Sequence, residues 1–323
     1  MIHAGEYMKK QAAAIHYEVI KNNNKKVIRN QIRISGSISK AEIVELCGLS
    51  FPTVSQAVGE LLASKELIES VGKSSGGRPG NVYSINPEFE YFACGIFEEK
   101  ILRVRIYDYC GCEKQEYTEP ISAEYDGDML VSVFEKIKAT YPLLCQVVLG
   151  IPGICVNGQI LHYPHCKKLE GLHLVDIFKE RLSLCVYMEN DINAIALGEC
   201  KRWNSFAHII WIQGCIGSAV VIDGKLIRGA HGCAGEIEYV CHDLTSRIEC
   251  LKDAMMAMFA VVDVPVIAFS GKEITSQDME MLKESLEQRV RKEFRPDIVY
   301  VENENELYFN GLWQRINAML MER

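Results

Sequence analysis

Ser39-Lys40-Ala41-Glu42-Ile43-Val44-Glu45-Leu46-Cys47-Gly48-Leu49-Ser50-Phe51-Pro52-Thr53-Val54-Ser55-Gln56 is the stretch on which the reading of the N-terminal part turns. Ser39 and Glu42 have the spacing of a capping box: the hydroxyl takes the Glu42 amide and the carboxylate reaches back to the Ser39 amide. A short helix with Ile43 and Leu46 inward follows, and Gly48 suits its left-handed C-terminal cap. Ser50 is an N-cap for a second helix, with Pro52 in the first turn where no helical amide bond is lost. Val54, Val58, Leu61 and Leu62 form its apolar stripe, while Thr53, Ser55, Gln56 and Gly59 fall off it. Two helices joined by a tight Gly-Leu-Ser turn, the second small and polar outside, have the helix-turn-helix layout.

Upstream, Val27, Ile28, Ile32 and Ile34 recur at helical spacing up to Gly36. Downstream the period drops towards two. Residues 67–71 and 81–85 read as strands joined by a Gly/Ser-rich turn that carries Lys73 and Arg78, which makes a β-hairpin wing. The functional reading is a winged helix-turn-helix that inserts the helix of residues 50–63 into the major groove of double-stranded DNA. Ser50, Thr53 and Ser55 lie on its polar side, Gln56 suits an adenine edge, and Lys40, Lys73 and Arg78 suit phosphates. Winged helices also dock proteins, and this helix has no Lys or Arg before Lys65.

The chain has 323 residues, 48% hydrophobic and 24% charged, enough for two or three domains with buried cores. Its net charge is −8, but residues 1–88 hold eleven Lys and Arg against eight Glu, and the remainder 24 against 35 acidic residues. A mildly basic head on an acidic body fits a nucleic-acid module joined to something else. No apolar run is long enough for a membrane span and residues 1–10 lack a signal-peptide core, so no membrane partner is expected. Thirteen scattered cysteines without a Cys-x-x-Cys read as reduced thiols of a cytoplasmic protein.

Beyond Pro87, strand-like segments at 91–97, 101–107 and 147–151 alternate with helical ones at 129–140 and 175–182. The grammar repeats with strands at 209–212, 218–222 and 264–269 and an apolar helix at 248–262. Met255, Met256 and Met258 read as core fillers. Two helices, at 279–294 and 307–322, flank a last strand at 296–301. This is an α/β body of two lobes, and clefts between lobes are where small ligands bind.

The head phrase, with Val71-Gly72, Gly76-Gly77-Arg78-Pro79 and Ile85-Asn86-Pro87, closely resembles the DNA-binding module of repressors of the ROK (repressor, open reading frame, kinase) family, across residues 27–87. Leu149-Gly150-Ile151-Pro152-Gly153, Glu189-Asn190-Asp191-Ile192-Asn193-Ala194 and Arg228-Gly229-Ala230-His231-Gly232-Cys233-Ala234-Gly235-Glu236-Ile237 resemble the body of the same family, from about residue 93 to 268. The resemblance implies a two-lobed, actin-like (ribonuclease H-like) ROK domain. The expected division is residues 1–88 for the head and 89–323 for the body. Within the body, lobes are expected at about 89–188 and 189–305, with a terminal helix at 307–322 returning to the first lobe.

In the kinases of this family, the position of Asp191 holds the base that deprotonates the sugar. The phosphate cradle is not preserved here. The family's Asp-x-Gly-Gly-Thr loop is replaced by Ile96-Phe97-Glu98-Glu99-Lys100, whose carboxylates repel a triphosphate by about 4 kcal/mol for a like charge at 4 Å and an effective dielectric near 20. The second loop reads Gln213-Gly214-Cys215-Ile216-Gly217-Ser218-Ala219 and keeps only two glycines of the family's run. Asp191 is therefore read as a vestigial base position, with no catalytic residues, no enzyme activity and no cofactor. Candidate sugar-binding residues are Gly153, His165, Asn190, Asp191, Glu236 and Tyr239. Tyr239 replaces the histidine that touches both sugar and zinc in the family. His165 stands where an asparagine is common. The family's zinc motif is reduced to Cys241, His242 and Cys250, so no metal is expected. The alternative is a pocket that binds nothing.

The expectation is a DNA-binding transcriptional regulator of carbohydrate metabolism, acting as a repressor, with an inactive ROK domain that senses a sugar or derivative and mediates dimerisation. Its partners are a DNA operator, the effector and a second copy of the chain. The rivals are a ROK-type sugar kinase with an appended head, and a ligand-independent DNA-binding protein.

Overall fold

The computed structural model describes residues 2–72, 80–98, 100–156, 158–163, 166–212, 214–302 and 304–323, with side chains from residue 16 onwards except at 154 and 156. The chain forms two compact units. The first comprises Met1–Phe92, Tyr107–Lys114 and Asn317–Arg323; the second comprises Ala93–Ile106 and Gln115–Ile316.

The first unit opens with α1 (Ile2–Ser35), which extends well N-terminal to the helix read from the apolar spacing. The polar run through residues 21–26 hid it. Ile28 and Ile32 are buried as expected, but Val27 and Ile34 are exposed, because only one narrow stripe of the helix meets the core. A short strand β1 (Ile38–Ser39) leads into α2 (Lys40–Cys47), whose capping box forms as read, with Glu42 also bonding the Ser39 amide at 2.8 Å. Gly48 closes α2 at φ +64°, a conformation that costs an L side chain energy. Then come α3 (Phe51–Ala63), β2 (Leu67–Val71) and β3 (Asn81–Ile85). The sheet order is β1-β3-β2, so β1 adds a third strand to the hairpin. Val54, Ala57, Val58 and Leu61 of α3 are buried, and Leu62 is only half-buried. The turn of the wing, residues 73–79 with Lys73 and Arg78, lies outside the described residues.

A buried polar cluster ties this unit together. Arg29 of α1 is ion-paired with Glu66 through both guanidinium edges, one at 3.1 Å. The Tyr109 hydroxyl donates to the same carboxylate at 2.9 Å. Arg33 donates to the Tyr109 carbonyl at 2.6 Å and lies 4.6 Å from its ring centroid. The Asn30 amide donates to the Met321 carbonyl at 2.9 Å. Burial, and then the Glu66 charge, push the Tyr109 phenol well above its ordinary pKa.

The second unit holds two sheets with one strand order. β4 (Tyr91–Glu98), β5 (Ile101–Asp108), β6 (Glu113–Pro120), β7 (Leu144–Ile151) and β10 (Cys185–Asn190) are arranged β10-β7-β4-β5-β6. β11 (Phe206–Ile212), β12 (Cys215–Ile222), β13 (Lys225–Ile227), β14 (Val266–Ser270) and β15 (Asp297–Tyr300) are arranged β13-β12-β11-β14-β15. In chain order each sheet is therefore 3-2-1-4-5, a duplicated design. The small pair β8 (Ile154–Val156) and β9 (Gln159–His162) stands apart from both sheets. The helices are α4 (Gly127–Thr140), α5 (Leu174–Leu182), α6 (Asp191–Glu199), α7 (Arg247–Val262), α8 (Ser276–Arg289) and α9 (Glu304–Glu322). Met255 and Met258 of α7 are buried in the core of the second sheet and Met256 packs partly against it.

Two features lock the second unit internally. α6 and α9 cross with almost no side chain between them: a Cβ on Gly311 would sit 1.7 Å from the Ala194 carbonyl oxygen, and one on Gly198 2.1 Å from that of Leu307. In the interior of the second lobe, His208 of β11 joins Glu199 of α6 through Nδ1 and the Ser270 hydroxyl of β14 through Nε2, the latter at 2.8 Å. All three side chains are buried, and the seam gives His208 a partner at each ring nitrogen. No helix among the described residues is long and apolar enough to cross a membrane, and no cysteine of the chain is in a disulfide.

Candidate functional site

In the second unit β7 and β10 end side by side, in parallel register from Cys185–Gln146 to Asn190–Ile151. Parallel strands put the loops after them, and the helix after β10, at one edge, which is where open α/β sheets bind ligands. Asn190 caps α6 by accepting the Asn193 amide at 3.2 Å and donates its own side-chain amide to the Gly153 carbonyl at 3.1 Å. Asp191, the first residue of α6, is half-buried and accepts the Ile192 amide at 2.8 Å. Burial is the main cause, and the Glu236 carboxylate a lesser one, of an Asp191 pKa raised to about 6. Burial likewise raises Glu236, with Glu238 adding to it. Gly153, Asn190, Asp191 and Glu236 are thus near neighbours: two carboxylates and an amide around one edge, groups that bind vicinal hydroxyls.

Tyr239 is different. It sits on a short 3-10 turn (Ile237–Val240) with 82% of its surface exposed. His165 lies outside the described residues. Three features of this strand edge were not singled out from the sequence. Arg228 donates both guanidinium edges to the Glu189 carboxylate, one at 2.8 Å. Tyr308 of α9 is buried, and its hydroxyl has no hydrogen-bond partner among the described residues. Burial first, then the Asp191 charge, push that phenol far up. The Cys155 thiol is raised to about 12 by burial, and then by Asp191 and Glu189. A lone tyrosine in a terminal helix carries no sequence signal of this kind; only the α6–α9 crossing brings it here.

Where a phosphate loop would be needed, β4 ends in Phe97, buried edge-on against Tyr163 at 5.7 Å between ring centroids, and in Glu98, which is ion-paired with Arg103 at 3.1 Å. Glu99 and Gln213 lie outside the described residues. Around the reduced cysteine motif, the Cys241 thiol donates to the Ile237 carbonyl at 3.6 Å, the Cys250 thiol to the Asp243 carbonyl at 3.0 Å, and His242 pairs with Asp253.

In the first unit Lys40, Ser50, Thr53, Ser55 and Gln56 share α3 and its neighbour α2. Ser50 accepts the Thr53 amide at 3.4 Å and its hydroxyl bonds that of Thr53 at 2.8 Å. Lys40 reaches the Ser55 hydroxyl at 3.3 Å and lies 5.4 Å from the Tyr83 ring centroid. Gln56 donates to Glu60 at 3.2 Å. Glu60 also takes Lys21, at 2.8 Å, and Lys25 from α1, and these hydrogen bonds hold its pKa down to about 2. That lock is invisible in the sequence because residues 21 and 60 are brought together only by the packing of α1 on α3.

The family model for ROK proteins matches residues 108–251. Over that stretch the chain is similar to the ROK family. The xylose repressor of Caldicellulosiruptor bescii is 28% identical over 239 residues, 69% of this chain and 59% of that protein. The xylose repressor of Bacillus subtilis is 26% identical over 239 residues, 69% of this chain and 62% of its own length. This chain therefore spans about three fifths of the curated relatives it matches. Among solved structures, a ROK family transcriptional regulator, described as a homolog of the E. coli MLC protein, superposes with a TM-score of 0.68 at 18% identity, over 94% of this chain and 98% of that one. A putative N-acetylmannosamine kinase from Listeria monocytogenes superposes with a TM-score of 0.58 at 16% identity, over 71% of this chain and 99% of that one. The fold is that of the ROK regulators, an N-terminal helical head followed by an actin-like ROK domain, as the motifs implied.

Proposed function

We propose that this chain is a DNA-binding transcriptional repressor of carbohydrate metabolism whose ROK domain binds a sugar-type effector. The observation that carries the reading is the combination in one chain of a capped α2–turn–α3 module with its β-wing and a ROK cleft in which Asn190, Asp191 and Glu236 are neighbours. Residues 1–88 serve as the reading head and 89–323 as the sensing body. The xylose repressors among its relatives make a pentose the first effector to try. Ser50, Thr53, Ser55 and Gln56 face bases; Lys40, Lys73 and Arg78 face phosphates. Gly153, His165, Asn190, Asp191, Glu236 and Tyr239 are the residues proposed to hold the sugar. One uncharged reading helix supplies little affinity, so the protein acts as a homodimer on two half-sites about one helical turn apart, or a multiple of it. It works in the cytoplasm, where its operator is.

The test is selection of duplexes from a random library, followed by gel shifts with xylose and a hexose panel. Enrichment of one sequence, with affinity changed by one sugar, supports the reading. Binding to all duplexes alike sinks it.

A sugar kinase is the second reading, favoured by the raised Asp191, which suits a base. Against it stand Phe97 and Glu98 where backbone amides would have to cradle phosphate, because phosphoryl transfer depends on positioning and charge neutralisation. We therefore take the ROK domain to be catalytically inactive. A coupled ADP-release assay with ATP, magnesium and a sugar panel decides between the two.

A further inference from the structure

We infer that Phe51 reads a thymine 5-methyl group in the major groove; this rests on the DNA-binding reading above. Phe51 is the first residue of α3, the second helix of the helix-turn-helix, and it is 56% exposed. In this motif the N-terminal residues of the second helix meet the base edges. The buried side of α3 is Val54, Ala57, Val58 and Leu61. Phe51 lies on one flank of that side, and Ser55 and Gly59, which follow it at one and two turns, are both small. The benzyl group is thus the large exposed apolar side chain at the start of α3.

The polar readers on this helix are already engaged within the head. Ser55 holds Lys40, Ser50 and Thr53 hold each other, and Gln56 holds Glu60. An exposed aromatic ring is instead a group that gains by leaving water. The major-groove edge of DNA offers one apolar group, the methyl of thymine, and Phe is among the side chains that meet it. A face of this kind selects an A·T pair by contact, and discriminates thymine from every base that lacks the methyl.

The experiment uses the full-length protein and the duplex it enriches from a random library. Each thymine of that duplex is replaced in turn by deoxyuridine, which lacks only the methyl. Affinities are measured for the wild type, Phe51→Ala and Phe51→Leu. At one thymine, deoxyuridine should weaken the wild type about fourfold, the worth of one buried methyl. Phe51→Ala should bind about tenfold or more weakly and lose sensitivity at that position alone, while Phe51→Leu keeps it. Because Phe51 is exposed, the variants should melt like the wild type. If Phe51→Ala enriches the same sequence with the same thymine sensitivity, the inference is overturned while DNA binding stands, and the ring belongs to a protein contact. If the wild type enriches no sequence, the DNA-binding reading falls and this inference falls with it.

Discussion

Arg228, just beyond β13, clasps Glu189 of β10 through both ends of its guanidinium. The carboxylate is buried and the arginine is partly open to solvent. Glu189 immediately precedes Asn190 and Asp191, so the pair sets the strand end that carries the proposed sugar-binding groups.

Removing the arginine alone leaves a buried carboxylate without its partner. Arg228→Leu should therefore lower stability, by about 1–3 kcal/mol once solvent access to the guanidinium is allowed for. Replacing both residues, as Arg228→Leu with Glu189→Leu, should cost less than the sum of the single changes. Urea unfolding of the four proteins measures this, and strict additivity would show that the pair contributes nothing as a pair.

Asp191 gives a pH test. An unfolded aspartate titrates near 3.9, and burial raises this one to about 6 in the fold. The native state then holds the proton more tightly than the unfolded state. Its contribution to stability is full below about pH 4 and is lost as the pH rises through about 6. Relative to Asp191→Asn, the wild type should lose up to about 2–3 kcal/mol between pH 4 and pH 7. Parallel stability profiles for the two proteins would defeat this assignment. The same substitution should weaken sugar binding, read as a smaller thermal shift in saturating ligand.

Tyr109 and Glu66 give a third test. Tyr109→Phe removes one hydroxyl that donates at 2.9 Å to a buried carboxylate. Hydrogen bonds to charged groups contribute about 1.5–3 kcal/mol, so the melting temperature should fall by several degrees with the ring packing intact. A Phe variant that melts with the wild type would mean that Arg29 alone satisfies Glu66.

Lys40 gives a fourth. If it meets a phosphate, Lys40→Ala should weaken binding to specific and random duplexes alike, and reduce the slope of log affinity against log salt by about 1 per head. An unchanged slope would assign Lys40 to its contacts with Ser55 and Tyr83 instead.

Much of the head was legible because its signals are local. The Ser39–Glu42 box, Gly48 and Ser50 act on neighbouring backbone groups and need no tertiary context. The missed strands had no such signal. β6 (Glu113–Pro120) is almost wholly polar and half-exposed along an edge, so no apolar alternation marks it. β13 spans only three residues. In the second unit, Asn190, Asp191 and Glu236 are the residues to which the motifs point. Tyr308, Arg228 and the Glu60 lysine lock depend on which helix crosses which, a long-range property that periodicity does not encode. Tyr239 was placed by its position after Glu236, but the local 3-10 turn leaves its ring in solvent.

The polar cluster around Glu66 also bears on how this protein can be cut. Arg29, Glu66, Tyr109 and Met321 come from four distant points of the chain but belong to one compact unit. A fragment ending at residue 88 would retain α3 yet forfeit the phenol on Glu66 and the carbonyl on Asn30. Excising the N-terminal piece for spectroscopy should yield a loosened module, whereas grafting a tyrosine-bearing hairpin beside Glu66 should restore its rigidity.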